Sequence, residues 1–237
     1  MIKFSGELLL LDVEGTIAPL SYVHDVLFPY ARERVFLFLQ RRGTDQSVLE
    51  ASRLIAPEIR RDDACALNPD SVIRVAEQAR DLMDQDSKQT GLKQLQGLIW
   101  KEGFEQGELK SIVFADVPPA LAAWAGRGKK ARIFSSGSVQ AQKLFFRHTT
   151  QGDLGQYLSG YHDTTTGPKR VATSYAAIVA ASGFAPVDVL YISDVTAELD
   201  AAREAGCATA LAVRPGNPPS LPHSHPVLGS LAEIDST

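Results

Sequence analysis

Hydrophobic positions fall into two regimes along the chain. Four consecutive leucines, Leu8 to Leu11, stand between Glu7 and Asp12. A continuous apolar run suits a strand buried on both faces, or a buried helix segment; the following Glu14-Gly15-Thr16 turn decides for a strand. From about residue 17 to 115 the period changes. Val26, Leu27, Tyr30, Val35, Phe36 and Leu39 recur at helical spacing over 23–40, with Pro29 marking a break or kink. Val72, Val75, Ala76, Ala79, Leu82 and Met83 share one helical face over 71–86, and Leu92, Leu95, Ile99 and Trp100 do so over 90–104. No strand pattern interrupts this stretch, which reads as a helical insert.

From Asp116 the rhythm becomes strand and helix in alternation. Pro118-Pro119 opens a helix over 120–125 that Gly126 and Gly128 stop. A short strand over 131–134 ends at Ser135-Ser136-Gly137-Ser138 and leads into a helix over 139–146. A helix over 171–181 stops at Gly183, a buried strand over 187–193 ends at Asp194, a helix over 196–205 closes at Gly206, and a strand covers 208–213. The tail from Arg214 is rich in Pro and Gly, apart from an apolar patch near Val227 to Leu231. This alternation predicts an α/β fold: a Rossmann-like parallel sheet with right-handed crossovers. The expected core is discontinuous, 1–16 plus 116–237, interrupted by a helical cap over 17–115. Arg60-Arg61-Asp62-Asp63 reads as a solvated face or turn.

Composition narrows the partners. The 237 residues are 44% hydrophobic and 22% charged, with a net charge of −4. Without a basic block, general nucleic-acid binding and attachment to an anionic membrane are not expected. A small phosphorylated substrate needs only a local positive site and stays open. No apolar run approaches the ~20 residues that span a bilayer, and the first seven residues lack the apolar stretch of a signal peptide. Two cysteines, Cys65 and Cys207, make neither a disulfide framework nor a thiolate zinc site. Both read as inert, and a reducing cytoplasmic setting is expected. No apolar seam marks an oligomer interface, so a monomer is expected. His223 and His225 lack a third ligand and read as solvated.

Candidate chemistry follows from topology, because open parallel sheets bind ligands at the carboxyl ends of their strands. After the first strand stand Asp12 and Glu14; after the second, Ser135 and Ser136; after the third, Asp194, with Glu198 one turn on. Lys169 opens the helix before that third strand. Carboxylates without Cys or His partners favour a hard cation such as Mg²⁺. Hydroxyls and free amides at a helix N-terminus suit a phosphate, and a lysine adds a point charge for its oxygens. A carboxylate nucleophile with an acid/base two residues away splits phosphoryl transfer into two steps. Taken singly, each residue has a plainer reading: Asp12 as a turn residue, Ser136 as a helix cap, Lys169 as a surface lysine. Asp194 is harder to explain so, because an acid ending a buried strand is costly without a partner. Glu198 reads as support for a metal-bound water, as an orienter of Lys169, or as an exposed helix glutamate.

Asp12-Val-Glu-Gly-Thr16, Ser135, Lys169 and Asp194, in this order, resemble the four motifs of haloacid-dehalogenase-superfamily phosphatases. The blocks DVEGTI, DVLFPYA, LKQLQGLIW, FADVPPAL, SSGSVQAQKLFF and VRPGN resemble one family within it, the acireductone-forming enolase-phosphatases of methionine salvage. The resemblance spans nearly the whole chain. It implies a Mg²⁺-dependent enzyme that enolises 2,3-diketo-5-methylthiopentyl-1-phosphate and then removes its phosphate. It further implies Asp12 as nucleophile and metal ligand, Glu14 as acid/base and metal ligand, Ser135 and Ser136 as substrate-binding, Lys169 as phosphate-binding and Asp194 as metal ligand. Part of LKQLQGLIW would contact the substrate. Ile17 stands where that family often has a second Thr, and His24 where a Lys is common; both departures touch substrate details. A phosphatase of the same superfamily for another small metabolite is the alternative.

Overall fold

The computed structural model describes residues 1–58, 65–218 and 222–236; the Arg60 to Asp63 run lies outside them. Among the described residues, eight strands and nine α-helices follow in chain order: β1 (Ile2–Lys3), β2 (Leu8–Leu11), α1 (Leu20–Tyr22), a π-helical turn (Val23–Leu27), α2 (Phe28–Arg42), α3 (Gln46–Ile55), α4 (Pro69–Asp84) and α5 (Thr90–Glu105). Then come α6 (Val117–Gly126), β3 (Lys130–Phe134), α7 (Val139–Arg147), β4 (Leu158–His162), α8 (Ala172–Ser182), β5 (Val189–Ser193), α9 (Thr196–Glu204), β6 (Ala208–Ala212), β7 (Val227–Leu228) and β8 (Ile234–Asp235).

Six strands form one parallel sheet in the order β4-β3-β2-β5-β6-β7. The leucine run is the central strand. All four leucines are fully buried because helices cover both faces. Leu8 and Leu10 point into a cluster with Phe134, Tyr191, Leu211 and the α8 and α9 residues Tyr175, Ile178 and Leu199; Leu9 and Leu11, one step out of phase, face the other layer. The chain moves from β2 to β3 and β4 on one side, then crosses back to place β5 on the other. The switch point therefore lies between β2 and β5, and open parallel sheets bind their ligands at the strands' carboxyl ends beside such a point. β1 and β8 pair separately as a two-stranded parallel sheet.

Contacts divide the chain into two compact units, Met1–Tyr22 with Lys110–Thr237, and Val23–Leu109. The helical unit has its own core: Val35, Phe38 and Leu39 of α2, Leu49 and Ile55 of α3, Val75 and Ala79 of α4, and Leu92, Leu95 and Ile99 of α5. Its boundaries fall six residues inside the expected ones, after 22 rather than 16 and before 110 rather than 116. Hydrogen bonds explain the difference. Ile17 and Ala18 amides donate to Val13 O, Phe114 N donates to Ile17 O, and Ser111 N donates to His148 O, which ties both flanks into the α/β unit.

Pro29 lies in the first turn of α2, directly after the π-helical residues 23–27, so it marks a change of helix type within a continuous helical run. Four elements lacked a sequence signal. α3 is a short helix beside a Gly-Thr-Asp loop, β4 is a half-exposed edge strand of sequence Leu-Ser-Gly-Tyr-His, and β1/β8 are two-residue pairings of the two ends. His225 is not solvated: its side chain is 1% exposed, with Nδ1 2.8 Å from Thr209 Oγ1 and Nε2 3.1 Å from Asp200 Oδ1. The Pro-rich segment lies against α9 and β6 there. Among the described residues, no helix is long and apolar enough to cross a membrane.

The central strand sets a stability expectation. Leu10→Ala removes a fully buried side chain between two helices and should cost ~2–5 kcal/mol. A urea midpoint unchanged from the parent would show that this strand is not the packing centre.

Candidate active site

In-register pairing puts the sequence-singled residues at one edge. Leu11 pairs with Ile133 of β3 and Ile192 of β5, and Asp12 N donates to Ile192 O at 3.0 Å. Asp12 therefore stands level with Phe134 and Ser193, with Ser135 and Asp194 one residue beyond. Asp12, Ser135 and Glu198 are buried, Glu14 and Asp194 are half-buried, and Ser136 is exposed.

The centre of the site is a lysine held between two acids. Lys169 Nζ lies 2.6 Å from Asp12 Oδ1 and 2.7 Å from Glu198 Oε2, with all three side chains at most 10% exposed. Burial works against the lysine's charge, but the two carboxylates outweigh it and raise its pKa. Lys169 does not begin a helix; it sits in the turn three residues before α8. Asp12 Oδ1 also accepts Val13 N at 2.8 Å. Glu198 Oε2 accepts Tyr191 OH at 2.8 Å and lies 3.0 Å from Ser193 Oγ, which is itself 3.3 Å from Asp12 Oδ2. The serine's single proton serves one of these acids at a time. Burial, then the charge of Asp12, raises the Glu198 carboxyl against the opposing pull of Lys169. The helix glutamate is thus part of the buried cluster.

Asp194 feels the charge of Asp12 more than that of Lys169. Burial first and the Asp12 charge second push its carboxyl up to about 7. Its amide donates to Thr16 Oγ1 at 3.0 Å. A Cβ built on Gly15 would overlap Asp194 Oδ2, and Gly15 has φ +69°, so both the space and the backbone at this turn demand glycine. Glu14 pairs through its backbone with Ala18.

These residues suit a hard cation in part. The donors are oxygen alone, and two neighbouring carboxylates, one of them disfavoured as a charge, would be relieved by a cation. Among the described residues, however, no three His, Cys, Asp or Glu side chains converge as a ready ligand set. Asp12 Oδ1 is engaged by Lys169 and by Val13 N. A cation that retains several waters needs only one or two carboxylates.

The serine loop is divided in its tasks. Ser138 Oγ accepts Ala141 N at 3.2 Å and caps α7, while Asp163 Oδ2 accepts Val139 N at 3.0 Å. Two amides of the first turn of α7, those of Val139 and Ala141, are therefore taken by the protein itself. Ser135 is buried with its amide on His162 O, and Gln142 Nε2 donates to Gly137 O at 2.7 Å and His162 O at 2.9 Å, fixing the loop beneath it.

Residues far along the chain brace the Asp12 turn. Arg214 Nε donates to Thr16 O at 2.8 Å, and Asn217 Nδ2 donates to Gly15 O at 2.8 Å. Arg214 is itself paired with Asp116, Nη1 to Oδ2 at 2.9 Å. The VRPGN block thus has a structural task that spacing did not reveal. Tyr191, Ser193 and Asp163 were likewise missed; a tyrosine in an otherwise aliphatic buried strand was the one available hint.

Enolase-phosphatase E1 of Synechococcus elongatus is 50% identical to the chain over 213 residues, 88% of this chain and 89% of that protein. The chain belongs to the enolase-phosphatase E1 family. No family model matches the chain. The solved structure of the Saccharomyces cerevisiae UTR4 protein superposes with a TM-score of 0.79 at 35% identity, covering 95% of this chain and 98% of that one. A solved dehalogenase shares the fold at a TM-score of 0.56 and 16% identity over 97% of this chain and 96% of that one. This E1 chain therefore has the haloacid-dehalogenase-like α/β fold.

The Asp116–Arg214 pair generates a pH expectation. Burial alone would raise Asp116, but the Leu231 amide, the Arg214 charge and the Ser230 hydroxyl together hold it below the usual aspartate range. A carboxyl lowered on folding contributes stability above its unfolded pKa, about 4, and loses it as pH falls through the folded value. Asp116→Ala should cost roughly 3 kcal/mol at neutral pH, with the penalty shrinking at strongly acid pH. Chemical denaturation across that range checks this; a penalty independent of pH would contradict it.

Proposed function

We propose that this chain is a Mg²⁺-dependent enolase-phosphatase that converts 2,3-diketo-5-methylthiopentyl-1-phosphate to 1,2-dihydroxy-3-keto-5-methylthiopentene, acireductone, in methionine salvage. In a chain of the E1 family, the observation that carries the reading is the Lys169 Nζ to Asp12 Oδ1 contact of 2.6 Å at the carboxyl end of the central strand. A buried carboxylate with a cation against it is suited to attack a phosphoryl group while its charge is offset.

Substrate and product differ first by a proton shift: one leaves C1, α to the C2 carbonyl, and the C2 oxygen gains one from water. Glu14, longer than aspartate by one methylene, takes the C1 proton. An Asp12 carboxylate oxygen then attacks phosphorus, the bond between phosphorus and the C1 oxygen breaks, and Glu14 returns its proton to that oxygen. Glu14 next takes a proton from water as that water attacks the aspartyl-phosphate, which frees Asp12 and inorganic phosphate; it then gives that proton to the hydroxide left by the enolisation, which restores its carboxylate. Lys169 offsets charge on the phosphoryl oxygens in both displacements, and Ser135 and Ser136 bind the substrate. Asp12 and Asp194, with Glu14, would hold Mg²⁺, which when bound supplies further positive charge at the phosphoryl group and the carbonyl. Glu198 acts through Lys169. The setting is the reducing cytoplasm and the working unit a monomer; Cys207, buried with its thiol pushed up to about 11, takes no part.

Incubation with the diketo phosphate should give acireductone absorbance and phosphate in parallel, and EDTA should abolish both until Mg²⁺ is restored. Turnover of p-nitrophenyl phosphate alone would favour another small-metabolite phosphatase. Asp12→Asn should release no phosphate, and substantial residual turnover excludes the covalent route. Glu14→Gln should also lose enolisation, whereas unchanged enolisation in both Glu14→Gln and Glu14→Asp assigns the base elsewhere.

A further inference from the structure

Two fully buried tyrosines, Tyr175 on α8 and Tyr191 on β5, lie in the apolar cluster beneath the site. Their surroundings are Leu8, Leu10, Ile178 and Val189, where phenylalanine would pack with no polar atom to bury. A buried hydroxyl is costly unless bonded, so where each one bonds is informative. Tyr175 OH donates to the backbone carbonyl of Lys169 at 2.6 Å. Tyr191 OH donates at 2.8 Å to Glu198 Oε2, the same oxygen that receives Lys169 Nζ at 2.7 Å. The two hydroxyls thus secure one residue from both ends, its main chain and its ammonium.

The rings link the two ends. Tyr175 and Tyr191 meet edge to face with centroids 4.9 Å apart, and Tyr175 meets Phe134 in the same way at 5.4 Å. The Phe134 ring lies 5.9 Å from Lys169 Nζ. A lysine side chain has four rotatable bonds and a compact charge without directional preference, so placing its ammonium requires external restraint. Here the restraint runs through rigid aromatic groups that are packed into the sheet.

We propose that Tyr175 and Tyr191 are positioning residues that fix Lys169 for the phosphoryl group, one through the lysine's backbone and the other through Glu198. The inference rests on the reading of Lys169 as the phosphate-holding residue, and the test separates the two.

The probe is inorganic phosphate as a competitive inhibitor of p-nitrophenyl phosphate hydrolysis, measured with thermal midpoints for Tyr175→Phe, Tyr191→Phe, Lys169→Ala and the Tyr191→Phe/Lys169→Ala double variant. Lys169→Ala should weaken phosphate inhibition strongly. Tyr191→Phe should weaken it about ten-fold, the scale of one hydrogen bond to a charged group, with KM rising alongside. Tyr175→Phe should act in the same direction, and it carries the test if Tyr191→Phe does not fold. In the double variant the tyrosine change should add nothing, because its effect passes through the lysine. Phosphate inhibition unchanged in folded tyrosine variants, with only a lower thermal midpoint, overturns the proposal and leaves Lys169 in place. An equal further loss in the Lys169→Ala background also overturns it. Inhibition unchanged in Lys169→Ala overturns both the role of the lysine and that of the tyrosines.

Discussion

Everything at this site depends on one buried cation shared between two buried carboxylates. Charges taken out of water are tolerated only when closely compensated. Lys169 lies within 2.7 Å of both Asp12 and Glu198, and those acids in turn keep the lysine protonated against the cost of burial. The arrangement sits on a fully apolar central strand flanked by buried neighbours, so few waters compete with it and each contact acts at short range in a weakly screening medium. Asp194, on which the Asp12 charge outweighs that of Lys169, carries the electrostatic tension that remains.

Such a cluster needs a rigid frame, and the chain supplies it from distant places. The switch of strand order brings residues near 12 and near 193 side by side. The turn after Asp12 is pinned by three separate donors: the Asp194 amide on Thr16 Oγ1, Arg214 on Thr16 O and Asn217 on Gly15 O. Glycine at 15 lets the Asp194 carboxyl approach the turn closely. The Asp12 turn is short, but its shape is set by contacts spanning about 200 residues of sequence, which is why the two ends of the chain belong to the same unit.

The parts legible in the sequence were those governed by local chemistry. The unbroken run Leu8 to Leu11, the Gly-terminated helices 172–182 and 196–204, and the acids and hydroxyls following strands all announced themselves through period and punctuation. Edge strand β4 did not, because an edge needs no continuous apolar run, and the pairing of β1 with β8 depends wholly on tertiary proximity. The helix start after the serines hid a partner of the same kind: Asp163, 24 residues after Val139, takes the Val139 amide. His225 looked solvated for want of neighbours in sequence, yet Thr209 and Asp200 bury it. Tyr175 and Tyr191 gave no local sign of their hydroxyl partners, since a buried Tyr and a buried Phe fill the same pattern position.

The account stands on Asp12 as the group that accepts the phosphoryl from substrate. The most direct measurement is acid quenching of a single turnover followed by peptide mass mapping. The account predicts a transient phosphoryl group on the peptide containing Asp12, at that side chain, decaying as free phosphate appears. Turnover with Asp12 unmodified at every quench time, or a phosphoryl group on another side chain, would contradict it.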